Sequence, residues 1–105
     1  MTPPHGLQVS EAHFDLVHAI LHANVPAGVT VSAFGSRAKG TAKPFSDLDL
    51  ALEADHPLPP GLFGTLAEAF DDSDLPWKVD VIDWNAATPE FRALIGANRI
   101  VLELR

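Results

Sequence analysis

Two short stretches of this chain carry residue types suited to phosphate chemistry. In Ser46-Asp47-Leu48-Asp49-Leu50 two carboxylates stand two residues apart. On a strand, alternate side chains share a face with a spacing of about 6.6 Å, so Asp47 and Asp49 can converge on divalent cations. Ten residues upstream, Gly35-Ser36-Arg37-Ala38-Lys39-Gly40 follows an apolar run over residues 29–34 and reads as a small-residue turn opening a short helix. Unsatisfied backbone N–H groups at such a turn attract anions, and Gly35 lets the backbone come close to one. Together the two stretches supply a phosphate cradle and a cation-binding pair.

The carboxylates sit in an apolar setting. Leu48, Leu50 and Leu52 fall on one strand face, and Asp47, Asp49 and Ala51 on the other. Acidic residues are depleted in strands, and two on one face call for a reason that cation binding provides. A second strand offers a third carboxylate in Lys78-Val79-Asp80-Val81-Ile82-Asp83-Trp84. Period-two reading puts Asp80, Ile82 and Trp84 on one face and Val79, Val81 and Asp83 on the other. Asp83 stands near the strand end, where a capping acid is ordinary. Asp80 lies mid-strand between valines and is the candidate third ligand.

These residues need a scaffold, and the flanking sequence predicts one. Ser10 caps a helix over residues 11–23 whose apolar face is Phe14, Val17, Ile20 and Leu21. Pro26-Ala27-Gly28 turns into a first strand over 29–34. The Gly-Ser helix and the loop Thr41-Ala42-Lys43-Pro44 lead to a second strand over 47–53. A helix over 62–70 lies between two turn-rich loops, and a third strand runs over 78–84. Thr88-Pro89 starts a further helix carrying Phe91, Leu94 and Ile95, with proline at its first position. A short strand over 100–104 closes the chain. This is an α/β (α+β) pattern: a small mixed sheet flanked by helices, with residues 1–105 expected to form a single domain.

Composition narrows the function. Of the 105 residues 47% are hydrophobic and 20% charged, which is globular rather than disordered. No apolar run is long enough to span a bilayer, and Met1-Thr2-Pro3-Pro4-His5-Gly6-Leu7 lacks the basic and apolar regions of a signal peptide. The absence of cysteine excludes disulfides and thiolate metal sites. A cytoplasmic protein is expected. The net charge of −7 would repel a long nucleic acid, whose binding rests on lysine and arginine. Arg37, Lys39 and Lys43 alone cluster beside the expected triphosphate position. A small nucleotide with a protein acceptor is the better reading.

Two other features read as ordinary. His18 and His22 share a helical face at a spacing that can bind zinc, but no third ligand is evident. Trp77 and Trp84 flank the third strand and read as core or interface residues.

Gly35-Ser-Arg-Ala-Lys-Gly40, then Ser46-Asp-Leu-Asp-Leu-Ala-Leu52, then Val79-Asp-Val-Ile-Asp83 resembles the minimal nucleotidyltransferases of the DNA polymerase beta superfamily. More narrowly it resembles the MNT antitoxins that act beside HEPN-domain ribonuclease toxins. The resemblance spans residues 29–84, with three motifs in the family's order and spacing. It implies a polymerase beta-like fold, Asp47, Asp49 and Asp80 as metal-binding catalytic carboxylates, and Gly35 and Ser36 as the phosphate cradle. Lys39 stands where the family commonly has arginine. Lysine meets phosphate as a point charge without bidentate geometry. The resemblance further implies Mg²⁺, ATP as donor and a tyrosine hydroxyl of a HEPN toxin as acceptor, so that AMP transfer silences the toxin. Two alternatives stay open from sequence: a nucleotidyltransferase for a small hydroxylated molecule of the aminoglycoside type, and an antitoxin that masks its partner sterically.

Overall fold

A computed structural model describes residues 1–104. Helix α1 spans Glu11–Asn24, starting where the Ser10 side chain accepts a hydrogen bond from the His13 amide at 3.2 Å. Strand β1 covers Thr30–Phe34, the short helix α2 Ser36–Lys39, and strand β2 Leu48–Glu53. Helix α3 covers Leu62–Asp71, strand β3 Val79–Asp83, helix α4 Pro89–Gly96 and strand β4 Ile100–Leu102. The strand order is β3-β2-β1-β4. β1 pairs antiparallel with both β2 and β4, whereas β2 and β3 run parallel. Parallel neighbours cannot be joined by a tight turn, and α3 supplies the crossover between them.

The alternation along β2 decides which face is covered. Leu48, Leu50 and Leu52 are all fully buried and pack with Phe14, Val17 and Leu21 of α1 and Leu62, Leu66 and Phe70 of α3. A smaller cluster forms on the opposite face, where Phe34 and Ala51 meet Ile95 of α4, with Ile82 and Trp84 against them. One face is thus sealed by two helices. The other is covered only in part, by α4 and a 3₁₀ turn, Trp84–Ala86.

Most element ends fall within a residue of the sequence reading, and three differences bear on the site or its supports. Alternation carries the third strand through Trp84, but β3 stops at Asp83 because the Asp83 side chain accepts from the Asn85 amide at 2.9 Å and starts the 3₁₀ turn. Asp47 precedes β2 rather than opening it. The last strand ends at Leu102 instead of extending to residue 104. On α4, Ile95 is buried as the helical pattern suggests, yet Phe91 and Leu94 remain exposed. Trp84 is half-buried, with the Arg99 guanidinium 4.2 Å and the Arg92 guanidinium 5.8 Å from its ring centre. Arg99 also pairs with Glu53 at 3.0 Å, which ties the segment leading into β4 to the end of β2. Among the described residues no helix is long and apolar enough to cross a membrane.

Candidate active site

The partly covered sheet face carries the acidic residues. Asp49 on β2 is the register partner of Asp80 on β3 and of Phe34 on β1. Neighbouring strands lie about 4.8 Å apart, so the two carboxylates rise from adjacent positions on one face. Asp49 is half-buried, Asp80 is partly exposed, and Asp47 is exposed just before β2.

The Gly35-Ser36 turn meets this row directly. Gly35 has φ +77° and ψ −158°, a backbone state that side chains other than glycine's hydrogen rarely tolerate. A Cβ at this position would run into Oδ2 of Asp49. Only glycine therefore lets the turn lie against the carboxylate. Ser36 and Arg37 are the first residues of α2, and helix-starting N–H groups have no acceptor inside the helix. The other end of this short helix is closed: Gly40, at φ +79°, caps it, and Thr41 donates from its amide to the Ser36 carbonyl at 3.1 Å. Lys39, the last residue of α2, is exposed.

The Asp49 carboxyl is displaced upward from the ordinary aspartate range. Burial disfavours its charge, and Asp80 and then Asp47 add like-charge repulsion, so its carboxyl keeps its proton to higher pH than an ordinary aspartate. Lys78 Nζ stands 3.5 Å from Oδ1 of Asp80, a pair largely open to solvent.

The donor set suits a hard divalent cation: carboxylate oxygens with neither thiolate nor histidine among them. Among the described residues no three acidic, histidine or cysteine side chains are drawn close enough to form a finished metal cage. Magnesium does not require one. It takes one or two carboxylates, retains waters and completes its shell with substrate phosphates. A row of Asp47, Asp49 and Asp80 beside a turn whose first amides have no acceptor inside the helix fits that mode of binding.

The three basic residues that the sequence clusters at the triphosphate position part company. Arg37 is buried, with 6% of its surface exposed, and its side chain is occupied by backbone carbonyls. Lys39 and Lys43 are exposed. Sequence counting cannot tell a cation facing solvent from one turned inward; the signal available was Trp77, an aromatic platform for a buried guanidinium. His18 and His22 stack with ring centres 5.9 Å apart on α1, away from the carboxylate row.

Comparison with known proteins decides the family. The model of the polymerase beta nucleotidyltransferases matches residues 15–104. The chain belongs to that family. A probable protein adenylyltransferase MntA of Haemophilus influenzae is 43% identical over 103 residues, which cover 98% of this chain and 90% of the relative. Among solved structures, a toxin–antitoxin complex with AMP-PNP superposes with a TM-score of 0.68 at 26% identity, covering 85% of this chain and 71% of that one. A mutant MntA–HpeT toxin–antitoxin complex gives 0.67 at 26% identity, covering 91% and 73%. The four-stranded mixed sheet with its flanking helices is the nucleotidyltransferase fold of this family.

Proposed function

We propose that this chain is a one-domain protein adenylyltransferase acting in the cytoplasm as an antitoxin. It transfers AMP from ATP to a hydroxyl, a tyrosine hydroxyl, of a HEPN ribonuclease toxin and so silences it. The observation that carries this reading is the contact between its two halves. Gly35 lies against the Asp49 carboxylate, which is in register with Asp80, so the phosphate turn and the acidic row form one surface. The adenylyltransferase relative at 43% identity and the toxin–antitoxin structure with AMP-PNP support the donor and the kind of partner.

The residues divide the work as follows. Amides at the Gly35-Ser36 turn hold the triphosphate, with Lys39 adding a point charge. Asp47, Asp49 and Asp80 hold Mg²⁺, which when bound neutralises the triphosphate and the departing pyrophosphate. Asp80, partly exposed and one strand farther than Asp49 from β1, is the carboxylate on the acceptor side and takes the proton of the attacking hydroxyl. Attack at the α-phosphorus forms the new phosphoester bond and breaks the bond to pyrophosphate. The acceptor is a protein rather than a long nucleic acid, in keeping with a net charge of −7. Phe91, Leu94 and Phe45 are exposed, Phe91 packs edge-on against Phe34 beside Asp49, and Phe45 lies two residues before Asp47; such apolar side chains suit a protein surface.

The test is transfer of label from α-³²P-ATP to purified toxin with Mg²⁺. Wild type is expected to label the toxin, and a variant combining Asp47→Asn with Asp49→Asn to leave it unlabelled while keeping its fold. Equal labelling by the double variant would refute the assignment of the carboxylates.

A further inference from the structure

Arg37 is a buried cation that no carboxylate among the described residues meets at hydrogen-bond distance; three backbone carbonyls hold it instead. Its Nη1 donates to the Gln8 carbonyl at 2.7 Å, Nε to Ser46 at 2.9 Å and Nη2 to Pro44 at 3.2 Å. The guanidinium carbon lies 4.4 Å from the centre of the Trp77 ring, and Trp77 packs edge-on against His13 of α1. Taking a guanidinium out of water is costly unless its donors are used, and here carbonyls from separate segments use them. A neutral residue could fill the space. It could not grip residues 8, 44 and 46 at once.

What those carbonyls belong to gives the arrangement its meaning. Pro44 and Ser46 form the turn that delivers the chain to Asp47. That turn is closed on itself, by the Ser46 amide to the Lys43 carbonyl at 3.0 Å and by the Lys43 amide to Ser46 Oγ at 2.8 Å. The backbone of Arg37 meanwhile belongs to the phosphate turn, directly after Gly35-Ser36. One residue therefore contributes its main chain to one half of the site and fastens its side chain to the other. Its carbonyl also accepts from the Gln8 amide at 2.8 Å, so the segment before α1 braces the same joint. A planar fork with a stacked face holds such a joint more rigidly than an ammonium, which has neither.

We propose that Arg37 is a positioning residue that fixes the separation between the Gly35-Ser36 turn and the Asp47 carboxylate, and through it the affinity for Mg²⁺ with a nucleoside triphosphate. This rests on the nucleotidyltransferase site proposed above. Groups that orient ligating side chains typically change metal affinity by about 10–100-fold when altered.

The test is calorimetric titration of Mg²⁺ with a non-hydrolysable ATP analogue into three folded proteins: wild type, Arg37→Lys and Val17→Ala. Val17 is fully buried on α1, and trimming it destabilises the core without touching the joint. Arg37→Lys is expected to bind about tenfold more weakly or worse, and to need correspondingly more Mg²⁺ for half-saturation. Val17→Ala is expected to lose thermal stability and keep wild-type affinity. Wild-type affinity in Arg37→Lys, or equal weakening in Val17→Ala, would overturn the positioning role. Failure of the wild type to bind would overturn the nucleotide site itself, and the role with it. If Arg37→Lys does not fold, Trp77→Phe, which keeps a smaller stacking face, is expected to weaken binding about threefold, and unchanged affinity would overturn the proposal.

Discussion

Replacing Gly35 with alanine probes the contact on which the site depends. At φ +77° and ψ −158° an L-residue is strained by about 1–3 kcal/mol. The added Cβ also meets Asp49 Oδ2, the mobile end of a side chain, which can turn aside at about 0.5–1.5 kcal/mol of rotamer strain. Together Gly35→Ala should cost about 1.5–4.5 kcal/mol. For a domain of this size, each 1 kcal/mol lowers Tm by about 4–8 °C. The two parts separate in a double-mutant cycle with Asp49→Ala, because removing the carboxylate relieves the collision and leaves the backbone strain. Urea unfolding followed by circular dichroism should give a coupling of about 0.5–1.5 kcal/mol between the positions. A Gly35→Ala variant as stable as wild type would refute the backbone argument, and additivity with Asp49→Ala would refute the contact.

Asp49→Asn should stabilise the metal-free protein near neutral pH by roughly 1 kcal/mol, since neighbouring carboxylates repel by that order when partly solvated. The sign follows from the raised carboxyl of Asp49: its contribution is fully present at pH below the unfolded-state value and is lost as pH rises through the folded-state value. Unfolding measured from acid to neutral pH should therefore show a smaller fall for the variant; an unchanged profile would contradict the placement of Asp49. Lys39→Ala should raise the KM for ATP several-fold at low ionic strength, and salt should narrow the gap, because an exposed point charge is screened. A gap independent of salt would mean that Lys39 acts otherwise. Leu66→Ala, which empties a fully buried position between α3 and the sheet, should cost about 2–5 kcal/mol by urea unfolding.

Much of this architecture is legible in the sequence because it rests on local patterns. The period-two run from Leu48 to Leu52 places three leucines on the buried face, and all three are fully buried. Ser10 caps its helix through its side chain as expected, and Thr88-Pro89 opens α4 with proline at the first position. What local pattern cannot carry is partner choice across the chain. Strand periodicity does not say that β4 pairs with β1, or that β2 and β3 run parallel with Asp49 opposite Asp80. The fate of Arg37 depends on carbonyls at positions 8, 44 and 46, and is visible only once those segments meet. Trp84 shows a competition that alternation misses, since the Asp83 cap ends the strand one residue early.

The central claim is catalysis, and one measurement addresses it most directly. The cognate toxin is incubated with a tenfold molar deficit of this protein, ATP and Mg²⁺, and an intact mass spectrum is then taken. A catalyst turns over, so the expected result is that most of the toxin gains the mass of one or more adenylates and loses ribonuclease activity. A toxin of unchanged mass, under conditions where the two proteins are shown to bind each other, would contradict the account and leave steric masking in its place.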